Sequence, residues 1–551
     1  MRLIKARVLV ETQSISFEEF YGELPQYAIL SHTWKNNQEV TFQECNTEAA
    51  QLKAGFEKIT KTCQLALKDS IEYVWVDTCC IDKSSSAELT EAINSMFLWY
   101  QKAKICYVYL VDKFENDRLS SCRWFTRGWT LQELIAPATM SFYDYWWDCI
   151  GTKESLISDL CLISNIDKNI LLHNFPVSSA CIAKRLSWAA HRETTRVEDM
   201  AYCLLGICNI HMPMLYGEGK SAFRRLQEEI IRTTYDLSLL AWTPAYVTDG
   251  EYCGFLAESV NYFASCHTMD SLTDPLLDEG EIGISNKGLR LKARVYVLDH
   301  LGLHSRYYLK LDCRTPEKGG DFLAIPMRKV GPNTFVRARG RAISTSSSEI
   351  STSTAFCLEP VSEGEEAFYN VTLLPTLPQL SANTPLWQGN SNIVSFNRLT
   401  TVKIELPQGI KIVPGSETPN RFWDMEDNAF FTSRGSYQNW GAFVLDTKSM
   451  FLCFWQFEKL EWELKGTILD MESEGVYALW KDLHLSADQL SFERLIVKYI
   501  VANMQDLMES TVELERDERK IELSFQVYRK DDPNFCSGPR WRVVFRETVL
   551  S

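Results

Sequence analysis

The chain has 551 residues, 45% of them hydrophobic and 23% charged, which is the composition of an ordinary globular protein with room for two to four domains. The 57 Lys and Arg residues against 72 Asp and Glu residues give a net charge of −15. A chain this acidic has no overall attraction for nucleic acids or anionic membranes, so we expect neither as a partner.

The 17 cysteines form an odd number, and no disulfide framework is recognisable in their spacing. The sequence has no segment typical of a signal peptide and no apolar run of about 18 residues that predicts a membrane span. We therefore expect reduced thiols and a cytoplasmic protein.

Residues 1–150 alternate short apolar segments, typical of buried strands, with amphipathic segments, typical of helices. The predicted strands are 27–31, 73–76, 105–110 and 140–143, and the predicted helices are 49–69, a helix from 84–86 to 100, and 129–135. Strands buried on both faces and separated by helices favour parallel pairing. The sequence therefore predicts an α/β domain with an open, doubly wound parallel sheet.

The remaining chain divides into a helical extension at 151–242 and a β-rich C-terminal domain at 243–551. Short alternating and β-branched runs separated by turn-rich breaks predict a mainly antiparallel β region after 243, with a sandwich as one arrangement. The Ser- and Thr-rich segment 344–355 is of low complexity and predicts a mobile loop.

Two motifs that suggest ligand sites have simpler explanations. The segment 218–221 reads Glu-Gly-Lys-Ser, but the first glycine of a phosphate-binding loop is replaced by Met214. Cys203, Cys208 and His211 have the residue types of a zinc site, but no second ligand pair is near them. A glycine turn before a helix and core cysteines are the better interpretations, and we expect no metal and no bound cofactor.

Three polar clusters follow the predicted strands of the α/β domain. The carboxyl ends of strands form the crevice in which open α/β sheets bind ligands, so polar groups at these positions are expected to converge. The candidate residues in the three clusters are Ser31, His32 and Trp34, then Asp77, Cys80 and Asp82, and then Arg127, Trp129 and Glu133.

Each of these residues also has an ordinary structural explanation when it is taken alone. Asp77 can cap a loop, Trp34 and Trp129 can belong to the core, and Glu133 can pair with Arg127 at the surface. The concentration of all of them at one edge of the sheet favours a functional site.

The same clusters lie in segments that resemble the signature blocks of the fungal heterokaryon incompatibility (HET) domain. The segments are YAILSHTW, YVWVDTCCIDK and FTRGWTLQELIAP, followed by RLSWAAHRETTRVEDMAYCLLGI and LYGEGKSAFRRLQEEI, and they cover about residues 1–242. The resemblance implies a role in regulated cell death on non-self recognition. HET domains also resemble TIR domains, which implies a TIR-like or flavodoxin-like sheet.

The resemblance to TIR domains also implies an enzymatic activity, the cleavage of the nicotinamide–ribose bond of NAD or a related nucleotide. It nominates Glu133 as the catalytic residue. Trp34 or Trp129 would stack on a planar base, and His32 and Arg127 would meet phosphate. The other expected substrate-binding residues are Ser31, Asp77, Cys80 and Asp82.

The alternative is a non-enzymatic signalling protein that self-associates through its HET domain. A homo-oligomer on activation and a protein regulator bound by the C-terminal domain are compatible with both functions. A weaker possibility is that the C-terminal domain binds carbohydrate or peptide through its tryptophans, although core positions are the better interpretation for them. The tryptophans concerned are Trp423, Trp440, Trp455 and Trp462.

Overall fold

The fold is known from a computed structural model. It describes residues 1–243 without a break. Beyond them it describes the ranges 252–271, 281–299, 305–314, 323–331, 333–338, 343–344, 368–375, 401–408, 410–413, 416, 423–424, 429–431, 438–447, 449–458, 461–470, 511–516, 519–530 and 540–549. The segment 345–355 of the predicted Ser/Thr loop lies outside the described residues.

The N-terminal region consists of a seven-stranded sheet with helices between its strands. Its strands are β1 (Arg2–Lys5), β2 (Phe17–Glu19), β3 (Tyr27–His32), β4 (Tyr73–Trp75), β5 (Ile105–Tyr109), β6 (Met140–Tyr143) and β7 (Cys149–Thr152). Its helices are α1 (Ala6–Thr12), α2 (Glu48–Gln51), α3 (Ala54–Lys68), α4 (Ser86–Lys102) and α5 (Thr130–Ile135).

The strand order in this sheet is β2-β1-β4-β3-β5-β6-β7. The four central strands β4, β3, β5 and β6 are parallel, as the sequence predicts. The prediction of a wholly parallel sheet is wrong, because β1 and β2 on one side and β7 on the other pair antiparallel. The sheet is therefore mixed.

Local sequence explains why α4 begins where it does and why the predicted helix 49–69 is interrupted. The Ser85 side chain accepts a hydrogen bond from the Glu88 backbone N–H at 3.3 Å, which caps α4. Lys53 has extended backbone angles between α2 and α3. Its ammonium group binds the Glu44 carboxylate at 2.6 Å. That ion pair lies at the break between the two helices.

The helical extension contains short helices, which are α6 (Ile157–Ser164), α7 (Lys168–Leu171), α8 (Ile182–Ser187), α9 (Asp199–Tyr202), α10 (Leu205–Cys208) and α11 (Ser221–Thr233). The helix α8 is capped from a distance. Asp236 and Ser238 accept hydrogen bonds from its first two backbone N–H groups, at 2.8 and 3.0 Å. The caps come from residues more than 50 positions away, so the local sequence does not reveal them.

The described C-terminal segments form strands that pair mainly antiparallel, as predicted. Among the described strands, β15 pairs parallel with β17, and β18 pairs parallel with β26. The strands are β8 (Tyr252–Cys253), β9 (Asp270–Ser271), β10 (Ile282–Ser285), β11 (Gly288–Asp299), β12 (Ser305–Leu311), β13 (Cys313–Arg314), β14 (Leu323–Gly331), β15 (Thr334–Ala338), β16 (Ile343–Ser344), β17 (Phe368–Leu373), β18 (Thr401–Glu405), β19 (Trp423–Asp424), β20 (Ala429–Phe431), β21 (Gln438–Val444), β22 (Ser449–Glu458), β23 (Glu461–Asp470), β24 (Thr511–Arg516), β25 (Arg519–Lys530) and β26 (Arg540–Val549).

One buried apolar cluster extends from Leu3 in the first strand to Leu373 in β17, so the N-terminal sheet, the helical extension and the first β strands share a core. The buried Arg337 guanidinium reinforces this junction. It donates to the backbone carbonyl of Leu240 at 2.6 Å and to that of Trp242, and it lies 3.7 Å from the Trp242 ring centroid. Across the part of the chain that the structure describes, none of the helices has the length and apolar character needed to cross a membrane.

Candidate functional site

The polar clusters lie at the carboxyl edge of the parallel strands. Ser31 and His32 are the last residues of the central strand β3, Asp77 follows β4, and Glu133 lies on α5 after β5. Because β4 and β5 are the two neighbours of β3, residues at these three chain positions meet above the middle of the sheet. This is the position at which parallel α/β sheets bind ligands.

A buried carboxyl group forms the deepest part of the site. The Ser31 hydroxyl donates a hydrogen bond to Glu133 Oε2, and the Trp124 indole N–H donates to Ser31 Oγ at 2.8 Å. Ser31 and Trp124 have no exposed surface, and Glu133 is 7% exposed. Burial raises the pKa of Glu133 to about 8. The hydrogen bond from Ser31 works against this rise, and the negative charge of Asp77 adds to it. At neutral pH this carboxyl group is mostly protonated.

A buried arginine fixes the start of the helix that carries Glu133. Arg192 donates to the Arg127 carbonyl at 2.9 Å and to the Thr130 hydroxyl at 3.0 Å. The Thr130 hydroxyl in turn donates to the Trp124 carbonyl. Burial lowers the pKa of Arg192 to about 10, while the Glu133 carboxylate favours its charged form. Glu133 is therefore held in one place by a buried polar frame.

A second polar group, shallower than the first, is centred on Asp77. One carboxylate oxygen lies 3.1 Å from His32 Nε2, and the other accepts a hydrogen bond from the Trp34 indole N–H at 2.9 Å. Burial works against ionisation of Asp77, but the His32 hydrogen bond and the Lys83 charge outweigh it, so the pKa of Asp77 is lowered. Trp34 is 45% exposed, which excludes the core interpretation for this residue.

The imidazole of His32 connects Asp77 to a buried ion pair. Lys58 Nζ lies 3.1 Å from His32 Nδ1 and 2.5 Å from a Glu39 carboxylate oxygen. An ammonium group can only donate, so Nδ1 accepts and Nε2 carries the proton that points at Asp77. Burying Lys58 and Glu39 removes two charges from water, which costs free energy. Such an arrangement is more typical of functional sites than of cores.

The structure does not bring every candidate residue into this network. The buried Cys80 thiol accepts from the Val76 backbone N–H at 3.3 Å, and Asp82 accepts from the Ser84 N–H at 2.9 Å, which stabilises the loop after β4. The Arg127 side chain donates to Thr195 at 3.1 Å, away from Glu133.

Trp129 is half-buried, and its side chain lies within hydrogen-bonding distance of the Asp199 carboxylate. The alternative pairing of Arg127 with Glu133 at the surface is wrong, because Glu133 is buried and bonded to Ser31.

Several residues of the network are absent from the sequence-based set. They are Glu39, Lys58, Lys83, Trp124 and Arg192. Two of them carried a signal: Lys58 lies within the predicted helix 49–69, one position before the apolar Ile59, and Lys83 ends the second signature block. Among the described residues, no group of three or more His, Cys, Asp or Glu side chains is arranged to hold a metal ion.

The fold and the site define a mixed α/β domain with a closed polar centre at the carboxyl edge of its parallel strands. Residues 27–121 match the model of the family described as heterokaryon incompatibility protein (HET), and residues 221–268 match a domain of unknown function, DUF8212. The chain is 45% identical over 222 residues to the vegetative incompatibility protein HET-E-1 of Podospora anserina. The chain therefore contains a HET domain segment, which includes residues 27–121.

The extent of these similarities is limited. The alignment with HET-E-1 covers 38% of this chain and 16% of that protein. The matched HET segment contains Ser31, His32, Trp34 and Asp77 but ends before Glu133. Two structures of the Xerocomus chrysenteron lectin XCL, one wild type and one mutated, each align with 27% of this chain at 11% sequence identity. The alignment covers 99% of the wild-type lectin chain and 97% of the mutated one. Their TM-scores of 0.15 and 0.16 carry no argument about fold or ligand.

Proposed function

We propose that this protein acts in heterokaryon incompatibility, where it triggers regulated cell death by cleaving the nicotinamide–ribose bond of NAD or a related nucleotide. The HET match and the similarity to a vegetative incompatibility protein support the biological role. The chemistry is supported by the arrangement of the site. In this proposal the protein works in the cytoplasm and forms homo-oligomers on activation.

The observation that carries the chemical proposal is the buried Glu133 carboxyl group above the parallel strands. Departure of nicotinamide builds positive charge on the ribose, and a carboxylate in a site of low dielectric stabilises that charge strongly. No second acid is required, because nicotinamide leaves as a neutral base. Water then adds to the ribose carbon in its place and gives its proton to the Glu133 carboxylate or to solvent. Glu133 is mostly protonated in the resting protein, and a positive substrate beside it lowers its pKa and favours the carboxylate.

The neighbouring residues suit the other parts of such a substrate. The exposed Trp34 indole offers a stacking surface for a planar base. The Asp77 carboxylate offers an acceptor for ribose hydroxyl groups, and His32 meets phosphate in this proposal only when its Nε2 proton turns from Asp77 to the ligand. In this proposal Arg127, Trp129, Cys80 and Asp82 contribute from the loops around the site and do not touch the reacting bond.

The test is the release of nicotinamide from NAD by the purified full chain. Wild type, Glu133→Gln and the control Glu11→Gln, an exposed glutamate on α1, are compared at equal and high protein concentration, since activation in this proposal requires self-association. We expect release by wild type and control, and at least about a 100-fold lower rate for Glu133→Gln.

Circular dichroism and light scattering of the same samples report folding and self-association. If wild type is folded and self-associated but releases nicotinamide no faster than Glu133→Gln, the enzymatic proposal is wrong. That result favours the non-enzymatic signalling alternative.

A further inference from the structure

A lysine ammonium group lies on the exposed tryptophan of the site. Lys83 Nζ is 3.6 Å from the centroid of the Trp34 ring, which is the geometry of a cation–π contact. Within the part of the chain that the structure describes, this ammonium group makes no hydrogen bond to a protein atom. The Trp34 ring and the negative charges of Asp77 and Glu39 stabilise it there. Because the contact uses no directional bond, another cation can replace the ammonium group.

The surroundings of Trp34 make its ring a better partner for cations than for neutral groups. Its indole N–H donates to the Asp77 carboxylate at 2.9 Å, and hydrogen bonding to an anion increases the electron density of the ring. Asp77 itself lies next to the ring and adds a negative potential. A planar cation that stacks on Trp34 would therefore gain dispersion, ring electrostatics and attraction to Asp77 together.

We propose that the face of Trp34 covered by Lys83 is a subsite for a planar cation, which Lys83 occupies in the resting protein. Its ligand is the positively charged pyridinium ring of an oxidised nicotinamide nucleotide, which displaces Lys83 on binding. The uncharged dihydronicotinamide ring has the same size but lacks the charge that displaces an ammonium group. The inference rests on the proposed function and extends it, since it assigns ring selection to Trp34 and a competing, self-inhibitory contact to Lys83.

The experiment is calorimetric titration of the full chain carrying Glu133→Gln, so that the ligand is not consumed. NAD⁺ and NADH form a matched pair of ligands, because they share the phosphates and adenosine and differ in the charge of one ring. We expect NAD⁺ to bind about tenfold more tightly than NADH, as a cation–π contact of about 1.4 kcal/mol implies. Trp34→Leu should remove this difference.

The role of Lys83 is tested in the same background. Lys83→Met should raise the affinity for NAD⁺ several-fold, whereas Lys35→Met, which removes an exposed charge one residue after Trp34, should not. Equal affinities for NAD⁺ and NADH, no binding of either, or weaker NAD⁺ binding by Lys83→Met would each overturn the inference. The last result would make Lys83 a phosphate ligand.

The inference and the proposed function fail in different ways. Nicotinamide release by wild type without any preference for NAD⁺ over NADH in binding contradicts the inference alone. Charge-selective binding without nicotinamide release contradicts the proposed function alone. A second matched pair, 1-methylnicotinamide and nicotinamide, repeats the comparison without phosphate, and saturation-transfer NMR should show preferential binding of the charged ring.

Discussion

Replacing Glu133 with glutamine should stabilise the protein, and the gain should increase with pH. The Glu133 carboxyl group is almost fully buried, and its pKa rises from the ordinary value of 4.5 to about 8 on folding. The folded protein therefore holds this proton more tightly than the unfolded chain does. Burial of Glu133 has a negligible effect on the free energy of unfolding below pH 4.5. The effect becomes more unfavourable between pH 4.5 and 8 and is constant above that range. Glutamine has no such pH dependence.

The magnitude follows from the two pKa values. With about 1.4 kcal/mol for each pKa unit, Glu133 lowers the free energy of unfolding by about 1 kcal/mol at pH 5, about 3 at pH 7 and about 5 at pH 9. Glutamine still accepts from the Ser31 hydroxyl, and any imperfect hydrogen bond costs about 1 kcal/mol at every pH. The advantage of Glu133→Gln should therefore grow by about 4 kcal/mol between pH 5 and 9.

The assay is urea unfolding of wild type, Glu133→Gln and Glu11→Gln between pH 5 and 9, followed by near-ultraviolet circular dichroism. The difference between Glu133→Gln and wild type should rise with pH, whereas Glu11→Gln should follow wild type. A difference that does not change with pH would show that folding does not raise the pKa of Glu133. A stabilising substitution at a buried polar position is typical of sites that sacrifice stability for function.

Three further substitutions test the framework of the site and of the core. Ser31→Ala leaves the Trp124 indole N–H without its acceptor, so the free energy of unfolding should fall by about 1–3 kcal/mol in urea titrations; an unchanged midpoint would contradict this. Lys58→Met leaves the buried Glu39 carboxylate without its ion-pair partner and should lower the free energy of unfolding by about 3–5 kcal/mol. A second substitution, Glu39→Met, should restore much of that loss, and equal stability of the single and double variants would contradict this expectation. Arg337→Met leaves the Leu240 and Trp242 carbonyls without this donor, so the free energy of unfolding should fall by about 2–4 kcal/mol and proteolysis near residue 242 should become faster. Unchanged stability and proteolysis would show that Arg337 does not stabilise the junction.

The centre of the N-terminal sheet was predictable because its strands are buried on both faces. Continuous apolar runs mark β3, β4, β5 and β6, and the strand-to-helix alternation sets them parallel. The edges were not predictable from such runs. β7 is short and largely exposed, and β1 has only two buried residues, so neither has the pattern that identifies a central strand.

The location of the site could be predicted from the positions of its residues along the chain, but the hydrogen bonds and ion pairs between them could not. Ser31, Asp77 and Glu133 come after adjacent parallel strands, which is enough to place them at one edge. The partners that connect or support them come from elsewhere in the chain. Lys58 lies on α3 and Arg192 in the helical extension, and only folding brings their long side chains to His32 and to the start of α5.

Whether the Glu133 carboxyl group is responsible for both NAD cleavage and cell death is tested by measuring NAD and viability in the same cells. Wild type, Glu133→Gln and Glu11→Gln are expressed at equal levels from an inducible promoter in yeast. We expect wild type and Glu11→Gln to deplete NAD before growth stops, and Glu133→Gln to do neither. Equal growth arrest by wild type and Glu133→Gln, with unchanged NAD in both, would show that Glu133 is not responsible.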